Sequence, residues 1–328
     1  MRIAIVGVGA IGGYVGHQLA QAGEDVTFIA RGQNLAALQA DGIRLLRSDG
    51  GEQVVTPVRA TADYGAAGIQ DLVILAMKAH QLEAVAADVP RLFGPDTVVV
   101  PMQNGIPYWY FHGFAGALAG TRIHAVDPNG VIAAKIPAER VIGCVVYPAA
   151  ELVRPGVIRH VEGNRFPVGE PDGSASDRVG RVAGCFIAAG LQSPVLGDIR
   201  AEIWLKLWGN MTFNPISALT RATLAAICQY PPSRTLAANM MREAESVAGK
   251  LGIKFRVPLE KRIAGAERVG HHKTSMLQDV EAGRTLELDA LLGSVLELAQ
   301  LTDTRVPHLN AVYALTKLLA QTLEGARA

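Results

Sequence analysis

Residues 3–30 leave few folds open to this chain. Ile3-Ala4-Ile5-Val6 is a short, wholly apolar run of the kind that forms a buried parallel strand. Gly7-Val8-Gly9-Ala10-Ile11-Gly12 follows at once. A helical pattern through Tyr14, Val15, Leu19 and Ala22 then stops at Gly23, and a second strand spans Val26–Ala30. Strand, glycine turn, helix and strand in this order give a GxGxxG motif its meaning. The first glycine permits the tight turn, the second lets the backbone approach a pyrophosphate, and the third lets helix and strand pack closely. The helix N-terminus contributes free N–H groups and the positive end of a dipole. Gly7, Val8, Gly9, Ala10, Ile11 and Gly12 are therefore the candidate dinucleotide-phosphate loop.

The end of the second strand selects the cofactor. An acidic residue there serves the ribose 2′-hydroxyl of NAD, whereas an arginine accommodates a 2′-phosphate. This chain has Arg31 in that slot, followed by Gly32 and Gln33, with no Asp or Glu. NADPH is the expected cofactor; an arginine that only decorates a loop is the plainer alternative. Residues 42–60 alternate around Asp49-Gly50-Gly51 and predict a hairpin or meander. Two more buried-type strands end in Lys78-Ala79-His80-Gln81 and Gln103-Asn104-Gly105. Ligands of a doubly wound sheet bind outside the carboxyl ends of its strands, which makes Lys78 and Asn104 candidates for cofactor and substrate contact. Both also fit ordinary turn positions, Asn104-Gly105 especially.

Residues 107–140 depart from that template. Pro107–Phe114 holds five of the eighteen aromatic residues, and a Gly- and Ala-rich stretch leads on to Asp127-Pro128-Asn129-Gly130. Large rings leaving directly from Asn104-Gly105 suggest a cover over the substrate side of the site; a cap on the core, or a dimer contact, is the competing expectation. Strand patterns resume at 141–147, 157–161, 166–168 and Ser193-Pro194, with a helix over 175–189. A domain boundary falls at Leu196-Gly197-Asp198, giving domains of 1–197 and 198–328.

Beyond it the pattern is helix upon helix. Trp204 to Pro215 reads as a helix apolar almost all round, which marks a buried helix. Lys206, Asn210 and Asn214 interrupt it at spacings of four, which stacks them on one face with a drift of about 80°. A lysine between two tryptophans needs a partner or a task, and the amides offer donors and acceptors to a small polar ligand. An exposed polar stripe is the simpler alternative. Ser275 followed by Gln278 predicts a capping box. Glu287, in the expected first turn of the next helix, either belongs to a site or answers the helix dipole.

With 31 Lys and Arg against 30 Asp and Glu, the chain has no general attraction to nucleic acid or an anionic membrane. It has no run long and apolar enough to span a bilayer. Cys144, Cys185 and Cys228 are scattered without metal-ligand spacing, as expected of reduced thiols in a cytoplasmic protein with no metal.

Taken together, these motifs resemble the ketopantoate reductase (2-dehydropantoate 2-reductase) family. They comprise the glycine loop with Arg31, Lys78 with Gln81, Gln103-Asn104-Gly105, Lys206 through Asn214-Pro215, and Ser275–Asp279 leading to Glu287. The resemblance implies an α/β Rossmann-type N-terminal domain, an all-helical C-terminal domain like that of 6-phosphogluconate dehydrogenase, and an active site in the cleft between them. It implies that NADPH reduces a small 2-keto acid to a 2-hydroxy acid, with Lys206 as general acid and Glu287 holding the lysine or the nicotinamide ribose. Asn104, Asn210, Asn214 and Ser275 would bind the substrate, with Asn104 and Glu287 also facing the cofactor; Gly7 to Gly12, Arg31 and Lys78 would hold the rest of it. Where family members often carry a further asparagine after Asn214-Pro215, this chain reads Thr220-Arg221-Ala222-Thr223-Leu224. That departure and the long aromatic 107–140 segment leave open a different keto acid, carbonyl or imine as substrate. With the segment as a cover, they imply a divergent member with weak or no ketopantoate activity. A non-catalytic NADPH sensor is the reading from another class, though a sensor has no need of a proton donor. A homodimer is left open.

Overall fold

The N-terminal apolar run forms β1 (Arg2–Val6), buried from Ile3 to Val6. It is the central strand of a five-stranded parallel sheet in the computed structural model, which describes residues 1–325. After β1 come α1 (Ala10–Gln21), β2 (Asp25–Ile29), α2 (Gly32–Asp41), β3 (Ile43–Leu46), β4 (Glu52–Val55) and β5 (Arg59–Thr61). Next are α3 (Tyr64–Ala67), β6 (Gln70–Leu75), α4 (Glu83–Ala86) and β7 (Phe93–Pro101). The strand order is β5-β2-β1-β6-β7. The chain thus leaves β1 toward one side and returns through β6 on the other. The β1/β6 edge is the switch point of the sheet, where the fold itself directs ligands.

The remaining elements of this half are α5 (Val131–Lys135), β8 (Gly143–Cys144), β9 (Ala149–Arg154), β10 (Val157–Glu162), β11 (Val168–Gly169) and α6 (Asp177–Ala188). The expected 42–60 hairpin is β3–β4, and it belongs to a second sheet ordered β4-β3-β10-β9. Helix α1 packs between the two sheets. Its own glycines make this possible: a Cβ on Gly13 would lie 2.5 Å from Ile158 Cδ1, and one on Gly16 would lie 2.4 Å from the Phe28 ring.

Three strands differ from expectation; the one expected at Ser193-Pro194 is reduced to isolated bridges at Gln192 and Val195. The 141–147 strand shrinks to Gly143–Cys144, paired with β11. Val145 N–H still reaches the Pro167 carbonyl at 3.0 Å and Tyr147 N–H the Arg165 carbonyl at 3.2 Å. Pro167 has no N–H to return, so the two-way exchange of a regular ladder is broken there. Strand β9 has no counterpart in the sequence reading. Its Ala149-Ala150-Glu151 start favours helix, and Leu152 and Val153 lie exposed on a sheet edge, so no alternation marks it.

The second half consists of α7 (Ile199–Thr220), α8 (Leu224–Gln229), α9 (Pro231–Lys250), α10 (Leu259–Arg268), α11 (Ser275–Glu281), α12 (Ser294–Leu301) and α13 (Pro307–Gly325). Helix α11 is capped one residue earlier than the sequence suggested: Thr274, not Ser275, accepts the Leu277 N–H, at 3.3 Å. Any Ser or Thr before the first turn fits the pattern, and the backbone here enters the helix at Ser275. The chain divides into two compact units, one of α/β and one of helices. Segments 104–107 and 123–128 cluster with the helical unit, which otherwise begins at Arg200. Among the described residues no helix is long and apolar enough to cross a membrane.

Candidate active site

In the α/β unit the Gly7–Gly12 turn leaves the end of β1 and enters α1. Gly7 has φ +92°, a conformation that costs a side-chain-bearing residue energy. A Cβ on Gly12 would fall 2.1 Å from the Gly7 carbonyl oxygen and 2.9 Å from Ala76 Cβ. Both positions are therefore fixed by the protein's own packing. Gly9 is not: its φ is −84°, and a Cβ there would meet no protein atom within 4 Å. Gly9 is also the N-cap of α1, so the N–H groups of the first turn have no acceptor within the helix. An uncrowded glycine at a helix start with free N–H groups fits the close approach of a dinucleotide pyrophosphate.

Arg31 follows β2, caps α2 without a side-chain hydrogen bond, and is exposed. It lies close enough to Tyr64 to be felt there: burial pushes the Tyr64 hydroxyl up to about 12, with Asp88 adding to the rise and Arg31 opposing it. Lys78 follows β6 and is half-buried. Its turn closes on Gln81, whose Oε1 accepts the Lys78 N–H at 3.1 Å while the Gln81 N–H reaches the Lys78 carbonyl at 2.9 Å. Gly7–Gly12, Arg31 and Lys78 thus stand at carboxyl ends of strands in one sheet. Two further side chains hold this edge together. Gln103 Nε2 donates to the Leu75 and Met77 carbonyls at 2.8 and 3.1 Å, and Asn34 Nδ2 donates to the Val8 carbonyl at 2.6 Å. Sequence reasoning singled out neither role. The available signals were Gln103 directly before Asn104 and a polar residue one turn after Arg31.

In the helical unit, α7 is buried on most of its circumference: Trp204, Trp208 and Met211 are fully enclosed. Trp208 stacks on Phe255 with ring centroids 4.1 Å apart and donates Nε1–H to the Met241 carbonyl at 2.8 Å. Rings of this size, once buried, each hold about 3–5 kcal/mol against truncation and fix the rotation of the helix. That rotation presents the polar stripe. Lys206 and Asn210 are half-buried and Asn214 is buried. Lys206 Nζ donates to Asn104 Oδ1 at 2.6 Å. Neither the Asn210 nor the Asn214 amide has a hydrogen-bond partner among the described residues. An exposed, solvated stripe does not describe this face.

Asn104 is held from behind. Residues 289–293 form a π-helical turn, a local widening common at functional sites. The Ala290 carbonyl in that turn accepts the Ile106 N–H at 3.2 Å and the Ser294 hydroxyl at 2.7 Å. Gly105, at φ +91°, passes so close that a Cβ would lie 2.1 Å from the Ala290 oxygen. Glu287 is half-buried at the entry to this helical run, its carbonyl accepting the Leu291 N–H at 3.2 Å. Ser275 is exposed at the start of α11, and no hydrogen bond joins it to the stripe. The structure therefore brings Lys206 and Asn104 together directly, lines up Asn210 and Asn214 along the same helix face, and forms no hydrogen bond between Ser275 and that stripe.

The aromatic segment resolves otherwise than as a cover. Tyr108, Trp109, Tyr110 and Phe111 are all buried within the α/β unit. Tyr108 hydroxyl donates to the Ile136 carbonyl at 2.9 Å, and Trp109 lies against Gly143. Tyr110, Phe111 and Phe114 form an edge-to-face cluster with Phe111 5.1 Å from each neighbour. These rings cap a core, as their cost in water demands.

Models of two families match the chain. Residues 3–173 match Ketopantoate reductase PanE/ApbA, and residues 198–320 match its C-terminal counterpart. A 2-dehydropantoate 2-reductase of Mesorhizobium japonicum is 53% identical over 321 residues, 98% of either chain. A solved structure from Ralstonia solanacearum, described as a ketopantoate reductase, is 45% identical, with a TM-score of 0.93 and 98% of both chains covered. A 2-dehydropantoate 2-reductase structure from Methylococcus capsulatus is 27% identical with a TM-score of 0.84, again over 98% of both chains.

Proposed function

The chain belongs to the ketopantoate reductase family, a family of oxidoreductases that use a nicotinamide cofactor, and from that premise we propose that it reduces ketopantoate to pantoate with NADPH. The observation that carries this is the 2.6 Å bond from Lys206 Nζ to Asn104 Oδ1 on an otherwise enclosed helix. A half-buried lysine whose ammonium is aimed by a neutral amide can present a proton to a bound keto oxygen.

A bound reduced nicotinamide supplies the hydride. This chain's own groups do the rest. Lys206 gives the keto oxygen the proton that balances the hydride reaching the carbon, so a carbonyl becomes a secondary alcohol and the amine is left neutral. Asn104 aims the ammonium group. The amides of Asn210 and Asn214, one and two turns along, suit the carboxylate and hydroxyl of the substrate, and Glu287 steadies the lysine or the cofactor ribose. Ser275 joins this set as a substrate contact on the strength of the family motif. Gly7, Val8, Gly9, Ala10, Ile11 and Gly12 receive the pyrophosphate, with Arg31 at the 2′-phosphate and Lys78 beside the dinucleotide. In this assignment residues 1–197 hold the cofactor and residues 198–328, with Asn104, handle the substrate.

The test is steady-state oxidation of NADPH and of NADH against a panel of 2-keto acids, ketopantoate first, with Arg31→Ala alongside wild type. Ketopantoate is expected to give the highest kcat/KM. NADPH is expected to be preferred by roughly ten- to a hundredfold, the worth of a charge-assisted contact of about 1.5–3 kcal/mol, and Arg31→Ala should lose that preference. A better keto acid than ketopantoate refutes the substrate. Equal use of both cofactors refutes the role of Arg31, and binding without turnover of any acid leaves a sensor.

A further inference from the structure

Asn34 occupies the third position of α2 and is half-buried. Asparagine is a poor helix former, because its amide competes for backbone groups. Here it spends that amide on two distant segments. Its Nδ2 donates to the Val8 carbonyl at 2.6 Å, in the middle of the glycine turn. Its Oδ1 accepts the Gly156 N–H at 2.9 Å, at the tip of the β9–β10 hairpin. Gly156 is seated in turn: its carbonyl accepts the Arg44 N–H at 2.9 Å, and a Cβ on it would lie 3.3 Å from Ala37. The amide is thereby fixed at both ends and cannot swing away from Val8.

The peptide plane converts this into a statement about the cofactor loop. In a trans peptide the C=O and N–H point in opposite directions. With the Val8 carbonyl held toward Asn34, the Gly9 N–H is turned to the opposite side of the loop. Gly9 is the one glycine of the fingerprint that packing does not require, and the helix that follows it offers its own free N–H groups. Without the Asn34 amide, the Val8–Gly9 peptide is free to flip and direct a carbonyl oxygen where a phosphate oxygen must come.

We infer that Asn34 is a positioning residue for dinucleotide binding, one that locks the Val8–Gly9 peptide so that the Gly9 N–H faces the pyrophosphate. This rests on the cofactor assignment above but goes beyond it. It adds a residue outside the fingerprint and separates two functions of α2. Arg31, at its start, reads the 2′-phosphate that distinguishes NADPH from NADH. Asn34, one turn on, prepares the pyrophosphate site that the two cofactors share.

The experiment is fluorescence titration of the full chain with NADPH and, separately, NADH, for wild type, Asn34→Ala, Asn34→Asp and Arg31→Ala, with no keto acid present. Asn34→Asp is isosteric and still accepts the Gly156 N–H, but it cannot donate to Val8. Titrating it at low and high salt separates a lost contact, which persists, from repulsion of the phosphates by the new charge, which salt screens. Both Asn34 variants are expected to weaken NADPH and NADH by about tenfold or more, with the NADPH:NADH ratio kept within about twofold. At saturating NADPH, kcat should stay within about threefold of wild type. Wild-type affinity in Asn34→Asp, or a lowered melting temperature with unchanged affinity in Asn34→Ala, overturns the inference. So does a collapse of the ratio, which would mean that Asn34 acts through Arg31. If wild type binds neither dinucleotide, the cofactor assignment falls and takes Asn34 with it. If wild type binds both but reduces no keto acid, only the proposed reaction fails and the Asn34 result still stands.

Discussion

In the Gly7–Gly12 turn the groups offered to a ligand belong to the backbone, whereas on α7 they are side chains carried by a helix that is otherwise core. Gly7 and Gly12 are dictated by the protein's own close contacts, and Trp204 and Trp208 by burial. Between them, in each region, lie residues that packing does not ask for. At Gly9 a side chain would meet nothing, and Lys206, Asn210 and Asn214 are polar residues on a helix that is otherwise apolar. A residue type unexplained by folding, set among neighbours that folding explains, is what marks the proposed site in both places. The difference lies in what a mutation removes. In the turn, adding a methyl group either breaks the fold or blocks the ligand; on α7, trimming a side chain removes chemistry and leaves the scaffold.

The turn gives the largest effect. Gly12→Ala drives a Cβ to within 2.1 Å of the Gly7 oxygen, a clash of backbone against helix with no flexible side chain to yield. It should cost more than about 4 kcal/mol, the range of exceptional single mutations, and leave little folded protein at ambient temperature. Gly9→Ala makes the opposite case. Its φ of −84° suits alanine and its surroundings are open, so the melting temperature should stay within about 2 °C of wild type. NADPH binding should nevertheless fall by about tenfold or more, as the methyl group takes the space of the pyrophosphate. Thermal melts and NADPH titrations of the two variants check this. Equal destabilisation, or full NADPH binding by Gly9→Ala, erases the distinction drawn between these glycines.

The next effect belongs to α7. Lys206→Ala is expected to lower kcat by about 10²–10⁴, the usual contribution of a positioned acid. NADPH affinity should hold, because the proposed contacts to the pyrophosphate and 2′-phosphate lie in the other unit. Lys206→Met, which keeps the aliphatic stem and its packing, should lose as much activity as the alanine variant. A methionine variant near the wild-type rate would show that the stem, not the proton, matters.

These contrasts explain what the sequence made legible. Most of the parallel sheet, the turn and α7 were readable because burial imposes a period or an unbroken apolar run. Strands β1, β2, β6 and β7 follow it closely, whereas the partly exposed edge strand β5 does not. The placement of Arg31 and Lys78 after β2 and β6 was readable because strand ends locate them. What was not readable depends on partners far away in the chain. Strand β9 exists because β10 pairs with it, and the regular pairing of the 141–147 run is interrupted by Pro167 across the ladder. The rings of Tyr108 to Phe111 are placed by Ile136 and Gly143, contacts that no local pattern announces. Asn34 and the π turn behind Asn104 are of the same kind: one polar atom meeting one carbonyl across a long loop. The capping box at Ser275 failed for a subtler reason, since Thr274 and Ser275 are equivalent in pattern and only the backbone decides between them.

The smallest expected effect separates the two regions by acid rather than by mutation alone. Helix α1, which the glycine turn opens, carries His17, fully buried between the two sheets of the α/β unit. Burial lowers its pKa below the ordinary histidine value; hydrogen bonds with the Gln18 side chain and the Gln53 backbone oppose this more weakly. The folded state thus prefers neutral His17, while the unfolded chain takes up a proton near pH 6.5. Stability from this group is complete above that pH and is lost as pH falls toward the depressed folded value, because the unfolded state then binds the extra proton. One proton sets the limit, about 1.4 kcal/mol per pH unit within the window. His17→Gln removes the titration, so its unfolding free energy between pH 6.5 and 5 should fall less steeply than that of wild type. Denaturant unfolding at half-unit pH steps measures both slopes, and the other histidines, common to the two proteins, cancel in the difference. If the slopes coincide, His17 is as free to charge when folded as when unfolded, and the acid sensitivity of the chain lies outside α1.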